Sequence, residues 1–259
     1  MEYLQPISEW RVLAASVCGT SHEKNNQLCQ DAHQWQVLPD NILVAACADG
    51  AGSAILGKVG AIVAVETAVE YLASKEITQS TLNDDRLVRS LLSEAMAVAR
   101  QAVEEESVVC HQQPRDLAST LIILLATQSL VAVAQIGDGA AVARDIDDNL
   151  IALTKPQSGE YINETTFLIS PGALDNVEIV VWRQPIKNVG VITDGLQMLA
   201  MNIGLGIAHQ RFFTPLFDFV NTQQNKQLAI EELVKFLRSE RIKQRTDDDL
   251  TLLLEAITS

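Results

Sequence analysis

The chain lacks most of the features that would send it to a membrane, a nucleic acid or an oxidising compartment. It has no run of about 18 apolar residues free of charge, so no membrane-spanning helix is expected. Met1 to Arg11 lack a basic segment followed by an apolar one, so no secretory leader is expected and nothing directs the chain out of the cytoplasm. Basic residues are few: 19 Lys and Arg against 33 Asp and Glu give a formal charge of −14. Charge of that sign argues against nucleic acid or an anionic membrane as the main partner. There are four cysteines, Cys18, Cys29, Cys47 and Cys110, with no CxxC pair and no zinc-like spacing to a histidine. Reduced, structural thiols are expected. Aromatic residues make up only 5%, and Trp10, Trp35 and Trp182 fall on strand-like runs, where they read as packing residues.

What the chain does have is apolar patterning. At 47% hydrophobic and 20% charged over 259 residues it buries a sizeable core, and residues 1–259 read as a single domain. Trp10–Val17 reads as a strand, followed by a polar loop over Gly19–Gln30. Asp31–Val37 and Ile42–Ala48, split by Pro39-Asp40-Asn41, read as a hairpin. Ser53 is placed to cap a helix over Ala54–Ala73, and Asp84–Glu106 is a second, amphipathic helix. Strands follow at Ser119–Ala126, Leu130–Ile136, Ala140–Asp145, Leu150–Leu153, Val177–Trp182 and Asn188–Thr193. Lys155–Pro171 reads as a polar, irregular flap. Helices return at Ile207–Val220 and Lys226–Ser239, and Leu250–Ala256 is the last strand. Grouped strands and helices, without strict alternation, predict an α+β fold with helices covering antiparallel sheets.

Four aspartates share one local context. Asp49, Asp138 and Asp194 each follow an apolar strand and precede a glycine, and Asp248 lies in Asp247-Asp248-Asp249, just before the apolar strand Leu250–Leu254. A single Asp-Gly pair is an ordinary turn. Four carboxylates at the ends of core strands, with few basic residues to offset them, point instead to divalent metal, and hard oxygen ligands favour Mg²⁺ or Mn²⁺.

The ordered blocks Gln30-Asp31-Ala32, Asp49-Gly50-Ala51-Gly52-Ser53, Ser119-Thr120, Gly137-Asp138-Gly139, Thr193-Asp194-Gly195 and Asp248-Asp249-Leu250-Thr251 resemble the PP2C-type (PPM) metal-dependent protein phosphatases, in a bacterial branch. The resemblance implies a central antiparallel β-sandwich flanked by helix pairs on both sides, four layers in the order α-β-β-α. It implies hydrolysis of phosphoserine and phosphothreonine in proteins by a hydroxide shared between two Mg²⁺ or Mn²⁺ ions. Asp49 bridges the ions in that scheme, the Gly50 carbonyl ligates one, and Asp194 and Asp248 ligate the other. Asp138 matches a weaker third-ion position, and Asp31 orients ligands or water. Asp49, Asp194 and Asp31 are therefore the implied catalytic residues. A phosphoprotein substrate and a monomer acting in the cytoplasm are expected.

The chain departs from the family pattern at four places. Gln30 stands where many members have a glutamate, Asn26 where many have a phosphate-gripping arginine, Met198 where many have a further acid, and Ala51 where some have a histidine. His22 or Lys24 is the candidate to meet the substrate phosphate instead. These departures leave a weak or inactive pseudophosphatase that binds phosphoprotein as the alternative, with a small-molecule hydrolase third.

Overall fold

The computed structural model describes residues 9–156 and 165–258. The first eight residues, which include most of the Met1–Arg11 segment considered above, and residues 157–164 of the expected flap lie outside the described residues.

Strand β1 (Glu9–Val17) leads into a one-turn helix, α1 (Thr20–Lys24), inside what reads as polar loop. β2 (Ala32–Leu38) and β3 (Ile42–Ala48) form the expected hairpin. The helices α2 (Gly57–Ala73), α3 (Gln79–Asn83) and α4 (Asp85–Val109) follow. Then come β4 (Leu121–Ala126), β5 (Val131–Ile136), β6 (Ala140–Asp145), β7 (Leu150–Ala152), β8 (Glu178–Trp182) and β9 (Ile186–Ile192). The chain closes with α5 (Gln197–Ala200), β10 (Met201–Asn202), β11 (Ile207–Ala208), α6 (Gln210–Thr222), α7 (Lys226–Leu237), α8 (Glu240–Lys243) and β12 (Leu250–Thr258).

Two five-stranded antiparallel sheets result, ordered β1-β12-β9-β6-β7 and β2-β3-β4-β5-β8. β3, β4 and β5 are buried at every residue. Both faces of their sheet are covered, so alternation disappears and the strands read as continuous apolar runs. In β3, Leu43, Ala45 and Cys47 face the opposite sheet, while Ile42, Val44, Ala46 and Ala48 face α2 and α4. Across the sandwich, Val189 and Val191 of β9 face inward, and Ile192 packs outward with Phe213 and Phe217 of α6. Three cores therefore separate four layers, the predicted α-β-β-α order. Each fully buried Leu, Ile or Phe contributes about 1.5–3 kcal/mol.

Two helix starts differ from expectation. Ser53 does not cap α2, whose N-cap is Leu56. Ala51 O accepts from Ala54 N in a tight turn, and Gly57 packs so closely on Gly50 that the helix cannot begin earlier. Ile207 does not begin α6 either. It pairs with Asn202 in the β10–β11 ribbon, and the helix starts at Gln210 after His209 N donates to Ala200 O at 2.7 Å.

Candidate metal centre

One end of the sandwich collects the expected acids. Asp49 leaves β3, Asp31 enters β2, Asp194 leaves β9, Asp248 and Asp249 enter β12, and Asp138 sits in the β5–β6 turn. Both sheets contribute. Inward-facing positions alternate along each strand, and toward this end they change from apolar to polar. His33 Nδ1 meets Ser16 Oγ at 2.8 Å, Ser16 Oγ meets Thr251 Oγ1 at 2.6 Å, Thr251 N donates to Thr193 Oγ1 at 2.9 Å, and Thr193 Oγ1 donates to Asp31 Oδ2 at 2.7 Å. This buried chain floors the site and fixes Asp31. Asp49 is held through its backbone: its N–H donates to Thr120 Oγ1 at 2.9 Å, and its carbonyl accepts from Thr120 N at 2.8 Å.

Above the floor lies a cavity of about 320 Å³ lined by Asp49, Gly50, Asp194 and Asp248, with Ser21 and His22 on one side and Thr165 and Phe167 on another. No Lys or Arg is among the described residues that line it. A larger, mostly apolar groove of about 830 Å³ between α6 and α7 shares no lining residue with it and holds no acid cluster.

The carboxyls pay electrostatically for this crowding. Burial, followed by repulsion from Asp31, Asp194 and Asp248, holds the Asp49 carboxyl well above the usual range. Burial, followed by repulsion from Asp138, Asp248 and Asp31, lifts Asp194 to about 7. Burial lifts Asp31 to about 7 against the opposing hydrogen bonds from Thr193 and Thr251. Burial also raises Asp248. Oδ1 of Asp31, of Asp138 and of Asp194 is buried with no hydrogen-bond partner. Such atoms fit a cation: hard, anionic, desolvated and unsatisfied.

The β5–β6 turn is built for Asp138. Gly137 has φ +111°, a conformation that disfavours a side chain. Gln135 Nε2 donates to the carbonyls of Gly137, Gly139 and Lys155 at 3.0, 2.8 and 3.1 Å. Asp138 Oδ2 accepts from Thr165 Oγ1 at 2.7 Å, and Gln197 Nε2 donates to Asp138 O at 2.7 Å. Met198 points to solvent. The described end of the expected flap is anchored, since Arg100 Nη1 on α4 donates to Leu168 O and Ser170 O at 3.2 and 2.8 Å.

His22 lines the cavity, whereas Lys24 is exposed on α1 and is not among the lining residues. Gln30 is buried, and with its amide oriented to satisfy its neighbours Nε2 donates to Gly50 O at 2.9 Å and Ala51 O at 3.1 Å. A glutamate there would set a carboxylate against two carbonyls.

Asp249 escapes notice in the sequence as one of three adjacent aspartates. Its exposure is 1%, Oδ1 accepts from Gly19 N at 2.6 Å, and Oδ2 accepts from Gln30 N at 2.5 Å and His22 Nδ1 at 2.9 Å. It ties the start of β12 to the β1–β2 connection. Parity along β12 was the available signal: Asp249 shares the inward register of Leu253.

A model of the family described as protein phosphatase 2C matches residues 18–238. The chain is 36% identical over 252 residues to serine/threonine-protein phosphatase 3 of Escherichia coli (strain K12), across 95% of this chain and 97% of that protein. Among solved structures, the serine/threonine phosphatase Stp1 from Staphylococcus aureus superposes with a TM-score of 0.67 at 11% identity, over 100% of this chain and 99% of that one. RsbX in complex with magnesium superposes at 0.59 with 16% identity, over 98% of each chain. The two solved structures speak for the fold, and the family match and the curated relative for descent. On the family match over residues 18–238 and the 36% identical relative, the chain belongs to the protein phosphatase 2C family.

Proposed function

We infer that the chain is a metal-dependent phosphatase that hydrolyses phosphoserine and phosphothreonine in protein substrates. The observation that carries this reading is the convergence of Asp49, Asp194 and Asp248 on one cavity whose described lining offers no Lys or Arg to neutralise them. Divalent cations, two Mg²⁺ or Mn²⁺ in this reading, would supply an activated water and neutralise charge on the phosphoryl oxygens. Asp49 and the Gly50 carbonyl are the proposed ligands on the β3 side, and Asp194 and Asp248 those on the β9–β12 side. Asp138 is available to a further ion. Asp31, fixed by Thr193, orients what the others bind.

This chain's own residues do three things. The Thr120 and Thr193 hydroxyls set the directions of Asp49 and Asp31. Phe167 shields one wall of the cavity from water. His22, rather than Lys24, is placed to meet the substrate phosphate. Ligands come from both sheets, which supports residues 1–259 acting as one catalytic unit, and a monomer in the cytoplasm remains our reading.

The test is turnover of p-nitrophenyl phosphate and of a phosphothreonine peptide, with Mn²⁺, Mg²⁺ or EDTA, for the native chain and Asp194→Ala. Turnover that needs metal and is lost in the variant supports the assignment. A folded native protein silent with both metals overturns it in favour of a phosphoprotein-binding role.

A further inference from the structure

Beside the acidic cavity, Cys18, His22 and Asp249 place a sulfur, an imidazole nitrogen and a carboxylate oxygen within 4.8 Å of one another. Among the described residues this is the one His, Cys, Asp and Glu group of three that meets that spacing. The sequence hides it, because the third member lies 227 residues after the second. We propose that these three residues form a thiolate-containing transition-metal site, fitted to Zn²⁺ and distinct from the Mg²⁺ or Mn²⁺ centre next to it.

The donor set argues for the ion. A thiolate is soft, and an S, N, O triad selects Zn²⁺ over Mg²⁺ or Mn²⁺. Zinc sites with three protein ligands keep a fourth position for water. With Zn–N and Zn–O near 2.0–2.1 Å and Zn–S near 2.3 Å, ligand atoms on one tetrahedral ion lie roughly 3.3–3.8 Å apart. The His22 Nδ1 to Asp249 Oδ2 distance is 2.9 Å, so that pair opens by a few tenths of an ångström around a shared ion, and the Cys18 sulfur, within 4.8 Å of both, closes by up to about 1 Å.

The frame is already fixed. Asp249 is buried and oriented by backbone N–H groups of Gly19 and Gln30. Its ion-pair partner among the described residues is His22, which carries a full charge only when protonated. A buried carboxylate paired with one imidazole gains from a permanent cation. Gly19 keeps Cys18 and α1 tight against the Asp247–Asp248 backbone, where any side chain would overlap the Asp248 carbonyl. Cys18 is a free thiol that donates to Gln27 O at 3.6 Å, a weak bond to give up, and that also faces the Asp249 carboxylate.

Binding releases the Cys18 thiol proton to solvent and moves the His22 ring proton from Nδ1 to Nε2, so Zn²⁺ enters with loss of one proton and no redox change. Asp249 N donates to Asp248 Oδ1 at 2.9 Å, which links this site to a proposed ligand of the hydrolytic centre.

The test uses Co²⁺ as a spectroscopic stand-in on the reduced protein, followed by Zn²⁺ competition. A near-ultraviolet thiolate-to-cobalt charge-transfer band is expected in the native chain, in Cys29→Ser and in Asp194→Asn, with Zn²⁺ abolishing it. Cys18→Ser is expected to remove the band, and both Cys18→Ser and His22→Ala to weaken Zn²⁺ by at least about tenfold, with circular dichroism confirming each variant folded. Asp194→Asn separates the two centres: it removes a hydrolytic ligand and leaves this site whole. No band in the native chain, or a band that survives Cys18→Ser or is lost in Cys29→Ser, overturns the proposal.

Discussion

Raising the pH on metal-stripped protein is expected to weaken the fold, and the buried carboxyls set the size of the loss. Burial, with repulsion among neighbours, holds Asp31 and Asp194 at about 7 against 3.8 for an ordinary aspartate. Unfolded, both ionise at the ordinary value, so the folded metal-free state carries the extra protons across that interval. The stability each contributes is complete below 3.8 and is lost as the pH rises through about 7. A shift of about three units corresponds to about 4 kcal/mol for one group, and because the acids share protons the pair amounts to less than twice that. The part lost between about pH 5 and 7, near 3 kcal/mol, lowers Tm by roughly 6–12 °C in a domain of this size. The assay is thermal melting in EDTA at about pH 5.5 and 8, repeated with Mn²⁺, which at a hundred times its Kd restores about 2.7 kcal/mol. Asp194→Asn removes one of the repelling charges. It is expected to melt higher than the native chain in EDTA at the upper pH, to show a shallower pH slope, and to lose much of the rise with Mn²⁺. A metal-free Tm that holds or climbs with pH, or an Asp194→Asn that melts below the native chain in EDTA at the upper pH, refutes the reasoning.

Three further outcomes are expected. Glu255 is fully buried, burial raises its carboxyl well above the usual range, and neither of its oxygens has a hydrogen-bond partner. Glu255→Met should therefore stabilise the protein at about pH 8 by roughly 1–3 kcal/mol in urea unfolding, with a gain that shrinks as the pH falls and is indifferent to Mn²⁺. Gly19→Ala forces a methyl into the Asp248 backbone, and is expected to cost about 1–3 kcal/mol of stability and to lower kcat with Mn²⁺ present. Phe217, buried against Phe213 with ring centroids 5.5 Å apart, is far from the acids in role: Phe217→Ala should cost about 3–5 kcal/mol by chemical denaturation while kcat at low temperature stays near the native value.

The sandwich was legible because its strands are covered on both faces. Runs such as Val44-Ala45-Ala46-Cys47-Ala48 have one common reading, a core strand, and the acids at their ends stand out by contrast. The helix pairs were legible from periodicity; Asp84, read as the first residue of the second helix, is instead the N-cap of α4, its side chain accepting from Arg86 N at 2.9 Å. Less legible was whatever depends on contacts between distant residues. Gly50 meeting Gly57 delays α2, and a two-residue ribbon displaces the start of α6. The polar floor of Ser16, His33, Thr193 and Thr251 carries ordinary strand residues, and only their shared inward register marks them. Asp249 and Cys18 carry no local sign of meeting, since chain order separates them and the β1–β12 pairing joins them.

That pairing also bears on when the protein becomes an enzyme during its synthesis. Glu9 lies opposite Thr258, so among the described strands of that sheet the edge strand β1 is made before its neighbour β12 and before every other member. A nascent chain on the ribosome holds Asp31 and Asp49 early, yet has neither Asp248 nor the strand that seats β1 until β12 itself is made. Such long-range pairing folds slowly and leaves β1 waiting with an open edge. A chain released before β12 accordingly lacks Asp248, a proposed ligand, and phosphatase activity is expected only once that strand is in place.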